Sequence, residues 1–128
     1  MNRLMLIAGT ALVAMVSVAK ADGDAAAGEK VFKKCMACHA VGEGAKNKVG
    51  PQLNGIIGRQ VATADGYKYS AAMIAYGEGG KVWDEEMFKA YVMNPKGTVP
   101  KNKMAFAGLK KEDDVVNVLA YLEQFSAH

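Results

Sequence analysis

Behind Asp24, a residue that can cap a helix start, Ala27, Val31, Phe32 and Cys35 recur near helical spacing. The pattern predicts a helix over about 24–34 with one face turned inward. From 40 to 61 the periodicity fades, and Gly42, Gly44, Gly50, Gly55 and Gly58 with Pro51 mark loops. Ser70 can cap a short helix to about residue 75, and the stretch Tyr76-Gly77-Glu78-Gly79-Gly80 reads as a turn. Asp84 can cap a helix over 85–93, whose Met87, Phe88, Tyr91 and Val92 share a face and which Asn94-Pro95 ends. Residues 97–108 read as irregular chain around Pro100, yet Met104 and Phe106 sit there among lysines. Finally Glu112, Asp113 and Asp114 place negative charge at a helix N-terminus, and Val115, Val118, Leu119, Leu122 and Phe125 form an apolar stripe. No stretch alternates as a strand should, so the expected fold is all-α, one small domain of about four to five helices.

The N-terminus changes the picture of length and charge. Arg3, an apolar run over 4–18 and Ala19-Lys20-Ala21 before Asp22 read as a secretory signal over 1–21, cleaved from a working domain over 22–128. The run falls short of the roughly 20 residues that span a bilayer, so no stable membrane insertion is expected. The formal net charge of +3 belongs to the whole chain; without Arg3 and Lys20 there remain 14 basic side chains against 13 acidic. Nucleic acid is therefore not an expected partner, and any electrostatic recognition must come from how the charges are distributed. Lys33, Lys34, Lys48, Lys96, Lys101, Lys103, Lys110 and Lys111 flank the stretches that carry the chemistry. No repeat, low-complexity segment or linker divides the chain, and a monomer is the expectation.

The chemistry centres on Cys35-Met36-Ala37-Cys38-His39. Two thiols separated by two residues can each take one vinyl group on an edge of a porphyrin, and a histidine directly after the second cysteine is pinned beneath the iron as an axial ligand. A redox disulfide between Cys35 and Cys38 would need a βαβ setting, which the pattern lacks. A zinc site would find in Cys35, Cys38 and His39 three of four ligands, with His128 the only other histidine. One covalently attached haem c, around which the helices wrap and whose bulk completes a modest core, is the reading that accounts for the motif and the signal together.

Within the glycine-rich stretch, 50–59 is apolar enough to line a cofactor pocket, with Arg59 either a partner for a haem propionate or a solvated surface residue. The sixth ligand decides whether such a haem carries electrons, binds gases or catalyses. Met36 lies inside the attachment loop, and Met87 and Met93 fit helix faces as core filler. Spacing leaves Met73 and Met104 open, and the irregular loop, free to reach over the opposite haem face, favours Met104.

With these pieces in place the chain resembles the small class I c-type cytochromes, in particular bacterial relatives of mitochondrial cytochrome c, from Asp22 to Phe125. The matching pieces are Gly28 and Phe32, Cys35-x-x-Cys38-His39, Gly50-Pro51-x-Leu53-x-Gly55-x-x-Gly58-Arg59, Tyr67 with Tyr69, Trp83, Tyr91 with Asn94-Pro95, Lys103-Met104-x-Phe106-x-Gly108 and the segment Leu119-Ala120-Tyr121-Leu122. The resemblance implies that His39 and Met104 are the metal ligands and that the Pro51 carbonyl accepts from the His39 ring. It implies that Arg59, Tyr69 and Trp83 surround the propionates, that Tyr91 approaches the Met104 sulfur, and that Gly28 and Phe32 pack across the last helix near Tyr121. Met73, Asn102 and Gly97 depart from common residues of the family, and the segment before Trp83 is longer. The implied function is a soluble, periplasmic one-electron carrier and not an enzyme. Its implied partners are redox proteins such as a quinol–cytochrome c reductase and an oxidase, a photosynthetic reaction centre or a nitrogen-oxide reductase. The contrasting class is a peroxidase-like haem enzyme or ligand sensor, which needs an open sixth position.

Overall fold

A computed structural model describes Gly9 and residues 23–126; apart from Gly9 the expected signal over 1–21 lies outside the described residues, as does His128. The elements run α1 (Ala25–Phe32), α2 (Ala71–Tyr76), α3 (Glu85–Met93), α4 (Pro95–Thr98) and α5 (Glu112–Leu122). Among the described residues the only strand-like feature is an isolated antiparallel bridge between Gln60 and Val82.

Local chemistry sets the helix starts. The Asp24 carboxylate accepts from the amides of Ala26 and Ala27, the Ser70 hydroxyl from Met73 and the Asp84 carboxylate from Met87. Each of these satisfies an amide that the first turn leaves without a carbonyl. Behind Lys111, α5 has no side-chain cap; Glu112, Asp113 and Asp114 in its first turn complement the helix dipole instead. At its other end α1 stops at Phe32, two residues short of the expected Lys34. There the amides of Lys33, Lys34 and Cys35 bond to the carbonyls of Lys30, Val31 and Phe32, and the tighter turns bring the cysteine pair around toward the interior.

α1 lies across α5. Gly28 faces the backbone of Asn117, the Asp24 amide donates to Asn117 Oδ1 at 2.9 Å, and the rings of Phe32 and Tyr121 stand 5.3 Å apart between centroids. Val115, Val118, Leu119 and Leu122 of α5 are buried in a core shared with Phe32, Phe88, Val99 and Leu109. Each such side chain withdrawn from water stabilises the fold by ~1.5–3 kcal/mol relative to leaving it exposed.

One element was not expected. Asn94-Pro95 does end α3, but the chain restarts at once: the Asn94 side chain accepts from the Gly97 amide and Pro95 occupies the first turn of α4. Proline fits there because its missing N–H is one the helix could not use. The bridge at Gln60 and Val82 aligns two loops. The Gly58 amide donates to the Trp83 carbonyl at 2.8 Å and the Trp83 amide to the Arg59 carbonyl at 2.9 Å. Arg59 and Trp83 are thereby placed side by side.

Candidate functional site

A cleft with about 990 Å³ of empty space, its open side included, runs between the loop after the cysteine motif and the loop before α5. Cys38, His39, Pro51, Arg59, Tyr69, Trp83, Tyr91 and Met104 all line it. Cys35 does not; it is half-buried and packs against the hydrophobic core. The two cysteines are thiols and form no disulfide, and burial pushes the Cys35 thiol above its ordinary pKa.

His39 is fixed by its neighbour in the loop. Its Nδ1 lies 2.7 Å from the Pro51 carbonyl oxygen. A carbonyl can only accept, so Nδ1 carries the proton and Nε2 keeps its lone pair. Burial holds the imidazole below its usual pKa against the opposing pull of that hydrogen bond, with the Arg59 charge lowering it further. A neutral, oriented imidazole with a bare Nε2 is what a metal ligand requires. Gly50 makes this approach possible, since a Cβ there would come within 2.4 Å of His39 Cε1. The Gly50 amide also donates to the Cys38 carbonyl at 2.8 Å, tying the loop to the motif.

Opposite stands the loop of Met104. Tyr91 Oη, on α3, donates to Met104 Sδ at 3.8 Å. The backbone is held by Asn102, whose Oδ1 accepts from the Met104 amide at 2.8 Å while its Nδ2 donates to the carbonyls of Pro95 and Val99 at 2.9 and 2.8 Å. Asn102 is a departure from the family pattern, and sequence reasoning did not see that it anchors this loop; its place two residues before the methionine, after a proline, was the available signal. Met73, projecting from α2, reaches the same cleft, so lining alone does not separate the two methionines. Of the two, Met104 is the one whose sulfur accepts from the Tyr91 hydroxyl.

Arg59 is half-buried and not a solvated surface residue. Its Nη1 donates to the carbonyls of Gln52 and Asn54 at 2.9 and 3.3 Å, and burial lowers its pKa. Tyr69 Oη accepts from the Ala64 amide at 2.9 Å, which leaves its own proton to give. The Trp83 indole N–H meets no acceptor among the described residues, and Trp83 lines the cleft although it is only 7% exposed. Donors on Arg59, Tyr69 and Trp83 among the residues lining a largely apolar cleft suit a large apolar group carrying carboxylates.

Residues 67–68 bridge two loops that line the cleft. Tyr67 Oη donates to the Val49 carbonyl at 2.6 Å, and Lys103 Nζ lies 4.4 Å from the Tyr67 ring centroid while donating to the Lys68 carbonyl. The loops bearing His39 and Met104 are thus connected through 67–68. No group of three or more His, Cys, Asp and Glu side chains among the described residues could hold a bare metal ion. The donor set suits an iron that brings its own equatorial ligands. No helix among the described residues is long and apolar enough to cross a membrane.

Residues 25–126 match the sequence model of the family described as Cytochrome c. Cytochrome c-554 of Methylosinus trichosporium is 53% identical over 98% of this chain and 93% of its own length. Cytochrome c2 of Blastochloris viridis is 49% identical over 91% of this chain and 88% of its own. Among solved structures, cytochrome c2 from Rhodospirillum centenum superposes with a TM-score of 0.76 at 46% identity, covering 82% of this chain and all of that one.

Proposed function

The chain belongs to the cytochrome c family, and from that premise we propose a His/Met-ligated carrier that passes single electrons between periplasmic or membrane-bound redox proteins. Membership brings with it a covalently bound haem c and electron transfer in place of substrate turnover. In this reading Cys35 and Cys38 would hold the haem through two thioether bonds, His39 Nε2 and Met104 Sδ would bind its iron, and Arg59, Tyr69 and Trp83 would hold its propionates. Bound haem supplies a one-electron couple, and thioether against imidazole raises its potential.

The observation that carries the reading is the pair of oriented donors across one cleft. His39 is locked by the Pro51 carbonyl, and the Met104 sulfur is held by the Tyr91 hydroxyl. The chain's own contribution is to keep both loops still, to exclude water with an apolar lining and to let the charge change without moving atoms. A catalyst or gas sensor would need one axial position free, and the three hydrogen bonds through Asn102 speak for a loop built to stay. Carbon monoxide distinguishes the two readings: the reduced wild-type protein should not bind it at neutral pH, whereas an open site would bind it at once.

Residues 1–21 are the proposed export signal, removed before Asp22, with haem attachment following outside the cytoplasm. Protein recovered from a periplasmic extract should begin at Asp22. Upstream, a quinol–cytochrome c reductase is the proposed donor. An oxidase, a photosynthetic reaction centre or a nitrogen-oxide reductase is the proposed acceptor.

A further inference from the structure

On the reading that a haem occupies the cleft, we propose that Tyr76 and Trp83 form a relay through which the protein quenches organic peroxyl radicals at its surface with an electron drawn from the reduced haem. Tyr76 ends α2 in the segment whose extra length the carrier function leaves unexplained. Its ring centroid lies 5.8 Å from that of Trp83, the planes tilted by 46°. Trp83 is the only tryptophan of the chain, is buried, and lines the cleft. Tilted rings at this spacing are ordinary core packing, and packing alone asks nothing of the two polar ends. Yet the Tyr76 hydroxyl bonds to no protein group among the described residues and belongs to a half-buried side chain. Trp83, the inner ring of the pair, lines the cleft and its N–H meets no acceptor among the described residues.

Electron tunnelling falls exponentially with distance, so two easily oxidised rings in contact replace one long jump by two short ones. Lys81 Nζ stands 5.2 Å from the Tyr76 ring centroid. A cation over the ring makes it harder to oxidise, so weak oxidants such as the carrier's redox partners do not draw on it, whereas a peroxyl radical does. In the first step the Tyr76 phenol gives its hydrogen, one electron and one proton, to the radical, which becomes a hydroperoxide. Trp83 then returns an electron, and with a proton from water the phenoxyl is a phenol again. The electron that refills Trp83 comes from ferrous haem. The net change is one peroxyl radical reduced to hydroperoxide, one iron oxidised from ferrous to ferric and one proton taken up.

Tyr121 provides an internal comparison: it is also half-buried, but its ring sits between Phe32 and Phe125, at 5.3 and 5.0 Å, and does not line the cleft. The holoprotein, prepared fully ferrous or fully ferric, is exposed in air-equilibrated buffer to a water-soluble azo initiator, whose carbon radicals add dissolved oxygen to become peroxyl radicals, and oxidation at each tyrosine is followed by peptide mass spectrometry. Tyr76 should be modified several-fold more slowly in the ferrous than in the ferric protein, and Tyr121 equally in both. Trp83→Phe should abolish the difference at Tyr76, its visible spectrum reporting retained haem; should that variant lose haem, Tyr76→Phe should instead slow peroxyl-driven oxidation of ferrous haem several-fold. Equal damage at Tyr76 in both states, equal protection of Tyr121, or protection surviving in haem-loaded Trp83→Phe overturns the relay. A wild-type chain without haem would overturn the carrier reading as well, and the absorption spectrum of the same samples tells the two failures apart.

Discussion

A Cβ atom on Gly28 would lie 1.9 Å from the carbonyl oxygen of Asn117. α1 therefore rests on α5 backbone to backbone, and the contact admits no side chain. Glycine inside a helix costs ~1 kcal/mol against alanine, so the residue is there for the crossing. Gly28→Ala should gain helix propensity yet destabilise the protein by ~1–3 kcal/mol, as overpacking does. Urea unfolding monitored by circular dichroism checks it; a midpoint at or above that of the wild type would show that the helices separate freely.

Tyr91 gives the stability its own pH dependence. Burial chiefly, with Tyr67 and Tyr76 adding to it, pushes its phenol from an ordinary 10.0 up to about 12. A group whose pKa is raised on folding stabilises fully below its unfolded pKa and loses that contribution as pH rises toward the folded one. Between pH 10 and about 12 the unfolded chain ionises Tyr91 while the folded one does not, so stability should fall across that window. Tyr91→Phe should flatten the slope of urea midpoint against pH there. Identical slopes in the two proteins would contradict the assignment.

Much of the fold was legible because its signals are local. Asp24, Ser70 and Asp84 cap the helices they were expected to cap, and the α5 stripe from Val115 to Leu122 is buried as its period requires. α4 was not read because Asn94-Pro95 serves equally as the end of one helix and the start of another, and four residues carry no period to decide between them. Gly28 could not be placed from α1 alone, since its reason lies on α5. Arg59 was legible as a charge in an apolar stretch, but its partners are backbone carbonyls that a loop presents only once folded. Asn102 is similar: its three bonds reach Pro95, Val99 and Met104, contacts a linear sequence does not display.

The eight lysines at 33, 34, 48, 96, 101, 103, 110 and 111 are all exposed. With so small a net charge over 22–128, steering of a partner depends on this local asymmetry. Attraction between surface charges is screened over about 10 Å at 0.1 M salt, so association with an acidic redox partner should slow steeply as ionic strength rises. Lys101→Glu with Lys103→Glu should slow it further at low salt. Stopped-flow rates flat in salt and indifferent to both changes would leave an apolar contact, for which exposed Met36 and Val49 are available.

The ligand pair is the claim on which the rest depends, and Met73 is the rival inside the same cleft. Ferric haem bound by a thioether shows a weak sulfur-to-iron band at the near-infrared edge of the visible spectrum, and no other side chain supplies it. Recorded at neutral pH on wild type, Met73→Ala and Met104→Ala, the band should be present in the first two and absent from the third, whose reduced form should also bind carbon monoxide. A band that survives Met104→Ala and vanishes with Met73→Ala would contradict the account.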